Sequence, residues 1–404
     1  MRLCVHWPRL GPYHLARLRA VHARCAREGA DLIALETAAQ DATYAWDLEA
    51  DALPFRRVCA FPGTAFEAVA PRDMMDGVAR QLDALVPDAV AITSYSTPDA
   101  QACVRWCRQH RRTAVLMFDS RAEDAERSGW REAIKRQLVR QFDAALVAGT
   151  PQRAYAEALG VPADLVFTPY DVVDNAFFAR AAEAARRPAG VPADRPFFLT
   201  SGRFIARKNL RTLLDAYAVY RARGGSWGLV LLGDGPLRPP LEDRAAALGA
   251  PDVHFLGFRQ FDALPAFYAA ASAYVHPAQT DQWGLVVNEA MACGLPVLVS
   301  TGTGCALDLV RDNGRTFAPD RPDTLAEALA WMASRSDAER AAMGRKSRAI
   351  IASFRPEDFA DGLWAAVHAG AARADRPLGL RARLVLGALR RVARSATDFH
   401  SVPA

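Results

Sequence analysis

Short apolar runs alternate with amphipathic stretches along the first half of the chain. LCVHW, DLIALE, DAVAITSY, TAVLMFDS and AALVAGT have the length and composition of buried strands, and LARLRAVHARCAREG between the first two has helical spacing. Several of these runs end in small or polar residues, where a site could form. An alternation of strand and helix predicts βαβ units and a parallel sheet.

The second half of the chain restarts the same pattern. FFLTSGR, WGLVLLGDG, VHFLGF, AYVHPA and PVLVS predict strands, and NLRTLLDAYAVYRARG, LRPPLEDRAAALG, ALPAFYAAA and LVVNEAMACG predict the helices between them. The stretch 171–195 breaks this rhythm with Pro188, Gly190 and Pro192. Such a composition is typical of a linker between domains.

The length of 404 residues exceeds what one ordinary core accommodates, so two domains are expected. We predict an α/β protein of two Rossmann-like, doubly wound domains facing a cleft, with ligands at the carboxyl ends of the strands. The expected boundaries are 1–175 for the first domain, 176–195 for the linker, 196–365 for the second domain and 366–404 for a basic helical tail.

Composition narrows the classes of function. Hydrophobic residues make up 51% and charged residues 24%, as in folded globular proteins. No apolar run approaches the roughly 18 residues of a spanning helix, and MRLCVHWPRLGPYH lacks a signal-peptide core, so a cytoplasmic location is expected. The formal net charge of +5 is mild for this length and argues against nucleic acid as the main partner.

The seven cysteines do not form a metal-binding pattern. Cys103 and Cys107 share a helix face, but no second Cys or His pair stands at the required spacing. Buried free thiols are expected instead, and no metal site is predicted.

The segment SGRFIARKNL carries the first candidate chemistry. Gly202 follows a predicted strand and permits a ligand to approach the backbone closely. Arg203 can form paired bonds to phosphate oxygens, and Lys208 adds a point charge before the next helix. A strand-end Gly-Arg is often structural, but only three of the 50 basic residues are lysine, which favours a function for Lys208.

Two further segments extend this candidate site. LLGDG ends in Gly233, Asp234 and Gly235, which could form a plain turn or admit a nucleotide to the backbone. In TDQWGLVVNEAMACGLPVLVS, Asp281 lies in a loop and Glu289 in the first turns of a helix, so both acids can face one site. Carboxylates accept hydrogen bonds from vicinal hydroxyls, as sugar or ribose recognition requires.

In this order, SGR…KN, GDG, FLGF, HPAQTDQWGLVVNEAMACGLPV and GTGCALDLVRDNGRTF resemble the donor domain of family 4 (group 1) glycosyltransferases. The resemblance covers about 130 residues and is weaker in the first half, where DVVDNAFF (171–178) resembles the interdomain crossing. It implies the GT-B fold and transfer from a nucleotide-sugar co-substrate with retention of anomeric configuration. It implies no metal and no further cofactor.

The same resemblance implies roles for individual residues. Arg203 and Lys208 would bind the donor diphosphate and neutralise the leaving nucleotide. Glu289 would hold the ribose hydroxyls, and Asp281 would meet hydroxyls of the donor sugar. The backbone at Trp283, Gly284 and Leu285 would lie close to the phosphates, and the loop at Gly257 and Phe258 would approach the base.

The chain departs from the family pattern at three places. Asp281 replaces the first acid of a Glu-x7-Glu pair and is one methylene shorter, which could alter the preference for the donor sugar. Asp119 stands near the position where many members carry a histidine close to the reacting sugar, and we predict a catalytic role for it. Gly11 and His14 occupy the first loop in place of the usual glycine pair, and His14 either faces the acceptor or caps a helix.

Two segments combine an apolar stripe with many basic residues. One is a predicted helix over 130–142, with Trp130, Ile134, Leu138 and Phe142 on one face, and the other is 380–394. Such helices lie on anionic membrane or pack on their own core. With the membrane alternative, the enzyme would be peripheral at the inner face of the cytoplasmic membrane and act on a glycan or lipid-linked acceptor. Cell-envelope polysaccharide, lipopolysaccharide or glycolipid synthesis is the expected setting.

Two rival functions remain open from the sequence. A GT-B sugar-nucleotide epimerase or hydrolase would turn over its donor without an acceptor. A nucleotide-sugar-binding protein without catalysis would bind the donor tightly and transfer nothing, and Asp281 is the residue that hints at it.

Overall fold

Two parallel sheets form the framework of the protein in the computed structural model. The structure describes residues 1–40, 53–125 and 127–379, together with Ala382, Leu384, Val385 and Gly387. The chain divides into a first unit, Met1–Val172 with the segment from Pro356 onward, and a second unit, Val173–Arg355.

In the described residues, the sheet of the first unit has seven parallel strands in the order β3-β2-β1-β4-β5-β6-β7. Its elements are β1 (Arg2–Trp7), α1 (Pro12–Arg27), β2 (Asp31–Gln40), β3 (Arg56–Ala65), α2 (Pro71–Leu85), β4 (Ala89–Thr93), α3 (Pro98–His110), β5 (Thr113–Phe118), α4 (Gly129–Val139), β6 (Ala144–Val147), α5 (Thr150–Ala158) and β7 (Val166–Phe167). The central strands β1, β4, β5 and β6 are almost wholly buried, which explains their continuous apolar runs. The sequence prediction omitted β3, whose residues are half-exposed and include Pro62 and Gly63.

The second unit is built on six parallel strands in the order β10-β9-β8-β11-β12-β13. Its elements are α6 (Asn175–Ala184), β8 (Phe197–Ser201), α7 (Leu210–Ala222), β9 (Gly228–Leu232), α8 (Arg238–Ala247), β10 (Val253–Phe255), α9 (Leu264–Ala270), β11 (Ala273–His276), α10 (Leu285–Ala292), β12 (Val297–Ser300), α11 (Ala306–Leu309), β13 (Gly314–Phe317), α12 (Pro322–Ala333) and α13 (Asp337–Ile351). The strand order reverses between the neighbours β8 and β11. Ligands bind at such a topological switch point in open α/β sheets.

The last described helix, α14 (Pro356–Ala371), belongs to the first unit. The rings of Phe359 and Trp7 stack with centroids 6.3 Å apart. A Cβ added to Gly362 would lie 2.8 Å from the Thr168 carbonyl oxygen, so the helix packs tightly on the end of the first sheet. Beyond it, Arg376 donates to Asp143 Oδ1 at 2.9 Å.

The boundaries therefore differ from the predicted ones. The predicted second domain, 196–365, includes the start of α14, whereas the second unit ends at Arg355. The predicted linker 176–195 contains most of α6, which is part of the second unit. Amphipathic periodicity identifies a helix but does not say on which sheet its apolar face packs. The first division of the chain, at Val172 and Val173, falls inside the predicted crossing 171–178.

Three other expectations concern thiols and helices. Cys103 and Cys107 are buried and free, as predicted. The predicted helix 130–142 is shorter in the structure: α4 ends at Val139, and Trp130 at its start is 65% exposed while Leu138 is buried. The predicted basic helix 380–394 lies largely outside the described residues. No helix in the described parts of the chain has the length and apolar character needed to cross a membrane.

Candidate active site

The loops after β8 and β9 pack closely against each other at the carboxyl edge of the second sheet, and glycines make this close contact possible. The Gly202 amide donates to the Leu232 carbonyl at 3.0 Å. Gly233 has φ +133°, and a Cβ there would lie 1.8 Å from the Gly202 carbonyl oxygen. A Cβ at Gly235 would meet the Phe204 carbonyl at 2.7 Å. Any side chain at these positions would force the two loops apart.

The loop after β10 joins this arrangement from the neighbouring strand. Gly233 donates its amide to the Gly257 carbonyl at 2.9 Å, and Gly257 has φ +75°. Phe258 follows and is 39% exposed. The predicted base loop and the predicted phosphate loop are therefore hydrogen-bonded to each other.

Asp234 lies at the outer side of the same loops. Its Oδ1 accepts the Gly235 amide at 2.7 Å, and its Oδ2 pairs with Arg238 at 3.0 Å. The carboxylate is thus used locally to hold the turn and the start of α8.

Lys208 and Asp281 meet beside the switch between β8 and β11. The distance from Lys208 Nζ to Asp281 Oδ2 is 2.5 Å, and Arg207 lies 3.3 Å from Oδ1. His276, the last residue of β11, places Nε2 at 2.8 Å from Oδ2. A pocket within the second unit is lined by Gly202, Arg203, Lys208 and His276, so the predicted cations share one site.

The charges around Asp281 fix its ionisation. Burial alone would raise the pKa of Asp281, but Lys208, His276 and Arg207 together hold this pKa well below its usual range. Burial lowers the pKa of His276 although the hydrogen bond to Asp281 opposes the shift, and Lys208 lowers it further. Because the carboxylate only accepts, the neutral imidazole donates from Nε2. His276 Nδ1 is buried without a hydrogen-bond partner among the described residues.

Gly284 lets the start of α10 pack closely against His276 and Thr303. It has φ +98°, and a Cβ there would lie 2.9 Å from Thr303 Cγ2 and 3.4 Å from His276 Nε2. One turn further on, Glu289 is fully buried, and its Oε2 accepts a hydrogen bond from the Tyr268 hydroxyl at 2.6 Å.

The Trp283 side chain has a packing role. It is 2% exposed, its indole donates to Asn288 Oδ1 at 3.0 Å, and its ring packs on Phe354 with centroids 5.6 Å apart. The Trp283 side chain is therefore used in packing, and Leu285 at the start of α10 is half-buried.

Gly11, His14 and Asp119 belong to the first unit. His14 Nδ1 accepts the Gly11 amide at 2.9 Å, so His14 caps α1. Burial lowers the pKa of His14 to about 3, and the nearby Arg17 and Arg9 contribute. Asp119 follows β5 directly. Burial raises the pKa of Tyr170 to about 12, with Asp119 among the charges that add to the shift.

Sequence reasoning missed several residues of the site. His276 lies in the predicted strand AYVHPA, near the carboxyl end where a site was expected, and this position was a usable signal. Tyr268 and Tyr274 lie in apolar runs that indicate only core packing. The predicted site also lacks Arg207, which directly precedes Lys208 in the sequence.

Comparison with known proteins now identifies the family. Residues 181–350 match the family of glycosyl transferases group 1, which covers Arg203, Lys208, Asp281 and Glu289. Residues 181–350 of the chain therefore carry a group 1 glycosyltransferase domain. The predicted resemblance to group 1 glycosyltransferases and the dependence on a nucleotide sugar are confirmed.

One relative is similar in sequence, and two solved structures share the fold. The glycosyltransferase is 26% identical over 289 residues to the GDP-mannose-dependent alpha-(1-6)-phosphatidylinositol dimannoside mannosyltransferase of Mycobacterium tuberculosis, across 69% of this chain and 74% of the relative. Sucrose-phosphate synthase from Thermosynechococcus elongatus superposes with a TM-score of 0.69 at 19% identity, covering 90% of this chain and 97% of that one. Anabaena Alr3699/HepE in complex with UDP gives 0.66 at 19% identity, with 90% and 98% covered. The fold is GT-B, as predicted.

Proposed function

We propose that this glycosyltransferase moves a sugar from a nucleoside-diphosphate sugar to a glycan or lipid-linked acceptor of the cell envelope, with retention of anomeric configuration. The main support for a donor site in the second unit is that Lys208 and Arg207 form ion pairs with Asp281 at the switch point of the second sheet. Cations at this edge can bind a diphosphate, and carboxylates can hold hydroxyls.

Each group has a chemical task in this proposal. Arg203 and Lys208 bind the diphosphate and stabilise the charge that develops on the leaving nucleotide. The glycines of the β8 and β9 loops let the phosphates approach backbone amides. Glu289 accepts from the ribose hydroxyls, and Asp281, ionised at neutral pH, accepts from a donor-sugar hydroxyl.

The proposed acceptor is supported by other observations than the donor site. The mycobacterial relative is named for a phosphatidylinositol mannoside, which favours a lipid-linked glycan as acceptor. Asp119, Gly11 and His14 are the candidate residues for the acceptor in the first unit. Trp130 and Arg131 on α4 form an exposed aromatic and basic surface suited to an anionic membrane.

Donor binding is tested by thermal unfolding with UDP-, GDP- and ADP-sugars, on wild type, Glu289→Gln and Glu327→Gln. A ligand at about 100 times its Kd adds roughly 2.7 kcal/mol to the free energy of unfolding, which raises the melting temperature. We expect a shift with one nucleotide class that is lost in Glu289→Gln and kept in Glu327→Gln, whose side chain is on the exposed face of α12. No shift with any donor would contradict the proposal.

Retention and independence of a metal are tested on the reaction itself. The anomeric configuration of the product, read by NMR from the one-bond C–H coupling, should match that of the donor. Transfer should continue after treatment with EDTA. An inverted product or a rate that returns only with added metal would contradict the corresponding part of the proposal.

A further inference from the structure

Tyr268 and Glu289 form a buried hydrogen bond between two helices of the second unit. Tyr268 lies on α9 and Glu289 on α10, and neither side chain is exposed to solvent. The phenolic oxygen lies 2.6 Å from Glu289 Oε2. Tyr268 donates its one hydroxyl proton in this bond, and the carboxyl oxygen of Glu289 accepts it.

This donation fixes the direction of a longer chain of hydroxyls. Ser201 Oγ lies 2.9 Å from the Tyr268 oxygen and 3.1 Å from the Tyr274 oxygen. Because the Tyr268 proton is donated to Glu289, Ser201 donates its hydroxyl proton to Tyr268. The Tyr274 hydroxyl donates to the Ser201 carbonyl oxygen at 3.3 Å. Burial raises the pKa of Tyr268 well above its ordinary value, and Glu289 adds to the shift, so the phenol stays protonated.

The chain of hydroxyls connects two parts of the candidate donor site. Ser201 is the last residue of β8 and is followed by Gly202 and Arg203, the start of the proposed diphosphate loop. Glu289 is the proposed ribose ligand. Successive hydrogen bonds in a buried network polarise one another, so a donor at one end strengthens the bond at the other.

We propose that Tyr268 is a positioning residue that orients the Glu289 carboxylate toward the ribose hydroxyls of the donor. The preference of the enzyme for ribonucleotides over deoxyribonucleotides then depends on the Tyr268 hydroxyl. This rests on the proposed role of Glu289. Anchoring Oε2 fixes the plane of the carboxylate and with it the lone-pair directions of both oxygens, which hydrogen bonds to vicinal hydroxyls require.

The experiment compares Tyr268→Phe with Tyr220→Phe. Both substitutions remove one phenolic oxygen from a buried tyrosine of the second unit. The Tyr220 hydroxyl accepts from the backbone amides of Ser226 and Trp227 at 3.1 and 3.0 Å, and bonds to neither Glu289 nor Ser201. Calorimetry gives the Kd of UDP and GDP and of their 2′-deoxy and 3′-deoxy forms.

We expect wild type to bind the preferred ribonucleotide at least about tenfold more tightly than a deoxy form, since a charged hydrogen bond is lost. In Tyr268→Phe this ratio should fall toward one, mainly through weaker binding of the ribonucleotide. Tyr220→Phe should keep the wild-type ratio. Ser201→Ala should lower the ratio less, and carries the test if Tyr268→Phe does not fold.

The binding ratios distinguish a failure of the proposed role of Tyr268 from a failure of the proposed role of Glu289. If wild type discriminates and Tyr268→Phe and Ser201→Ala both keep the full ratio, the positioning role of Tyr268 is wrong while the proposed donor site stands. If Tyr268→Phe weakens ribo and deoxy forms equally, its hydroxyl is structural, and the positioning role is again wrong. If wild type binds ribo and deoxy forms equally, the ribose role of Glu289 is wrong and the role of Tyr268 falls with it.

Discussion

Lys208 and Asp281 lie 73 positions apart in the chain, yet their ionised groups are 2.5 Å apart in the fold. Lys208 belongs to the loop after β8, and Asp281 to the loop after β11. The reversal of strand order between β8 and β11 brings these two loops to the same edge of the sheet. A cation proposed to bind phosphate and a carboxylate proposed to bind hydroxyls thus become neighbours through topology.

Replacing Lys208 tests its proposed role in leaving-group stabilisation. Lys208→Ala should lower kcat by about 10²- to 10³-fold, as the loss of one preorganised donor does at other sites of charge development. Steady-state kinetics with the donor chosen from the panel measure this.

Lys346→Ala is the matched control, because Lys346 pairs with the exposed Asp312 at 3.2 Å and does not line the pocket. This variant should keep the wild-type kcat. An unchanged kcat in Lys208→Ala would remove the lysine from the proposed mechanism.

The buried His276 predicts a pH dependence of stability. Burial lowers the pKa of His276, so below about pH 6.5 the unfolded chain binds a proton that the folded chain does not. Its contribution to the free energy of unfolding is present above this pH and is lost as the pH falls, by at most about 1.4 kcal/mol per pH unit. Asp281 does not contribute in this window, because its pKa lies well below 3.8.

Denaturant unfolding at pH 7.5 and 5.5 measures this effect in wild type and in His276→Gln. The glutamine amide can still donate to Asp281 but does not titrate. The variant should lose less free energy of unfolding between the two pH values, since every other histidine is common to both proteins. Equal losses would show that His276 is protonated in the folded state.

The close contact between Gly233 and Gly202 predicts an effect on stability and on nucleotide affinity. Gly233→Ala places a Cβ 1.8 Å from the Gly202 carbonyl oxygen at a residue with φ +133°. The free energy of unfolding should fall by about 2 kcal/mol or more, and nucleotide affinity should fall with it, because the two loops must separate. Gly129→Ala is the control, since a Cβ there meets nothing within 4 Å. Wild-type stability and affinity in Gly233→Ala would contradict the close loop packing.

The sequence predicted the parts of the fold whose signals are local. Buried strands such as β5 and β9 are continuous apolar runs. The cations, acids and glycines of the proposed donor site lie in short segments, so their spacing can be seen in the sequence. Tyr268 gave no such signal, because a tyrosine in ALPAFYAAA indicates a packed helix, and its bond to Glu289 exists only once α9 and α10 meet. The location of α14 likewise depends on tertiary packing.

Membrane association is the last prediction, and it depends on one exposed side chain. Trp130 is 65% exposed at the start of α4, with Arg131 stacked over its ring at 5.4 Å. The wild type should sediment with phosphatidylglycerol vesicles at low salt and release at high salt, because basic residues near an anionic surface each contribute about 1 kcal/mol. Trp130→Ala should weaken this binding about tenfold through lost apolar contact. Leu307→Ala is matched in exposure, at 67%, but lies in the second unit, and should bind as wild type does. Equal binding of the Trp130 variant, or equal binding to phosphatidylcholine, would exclude α4 as an anionic membrane surface.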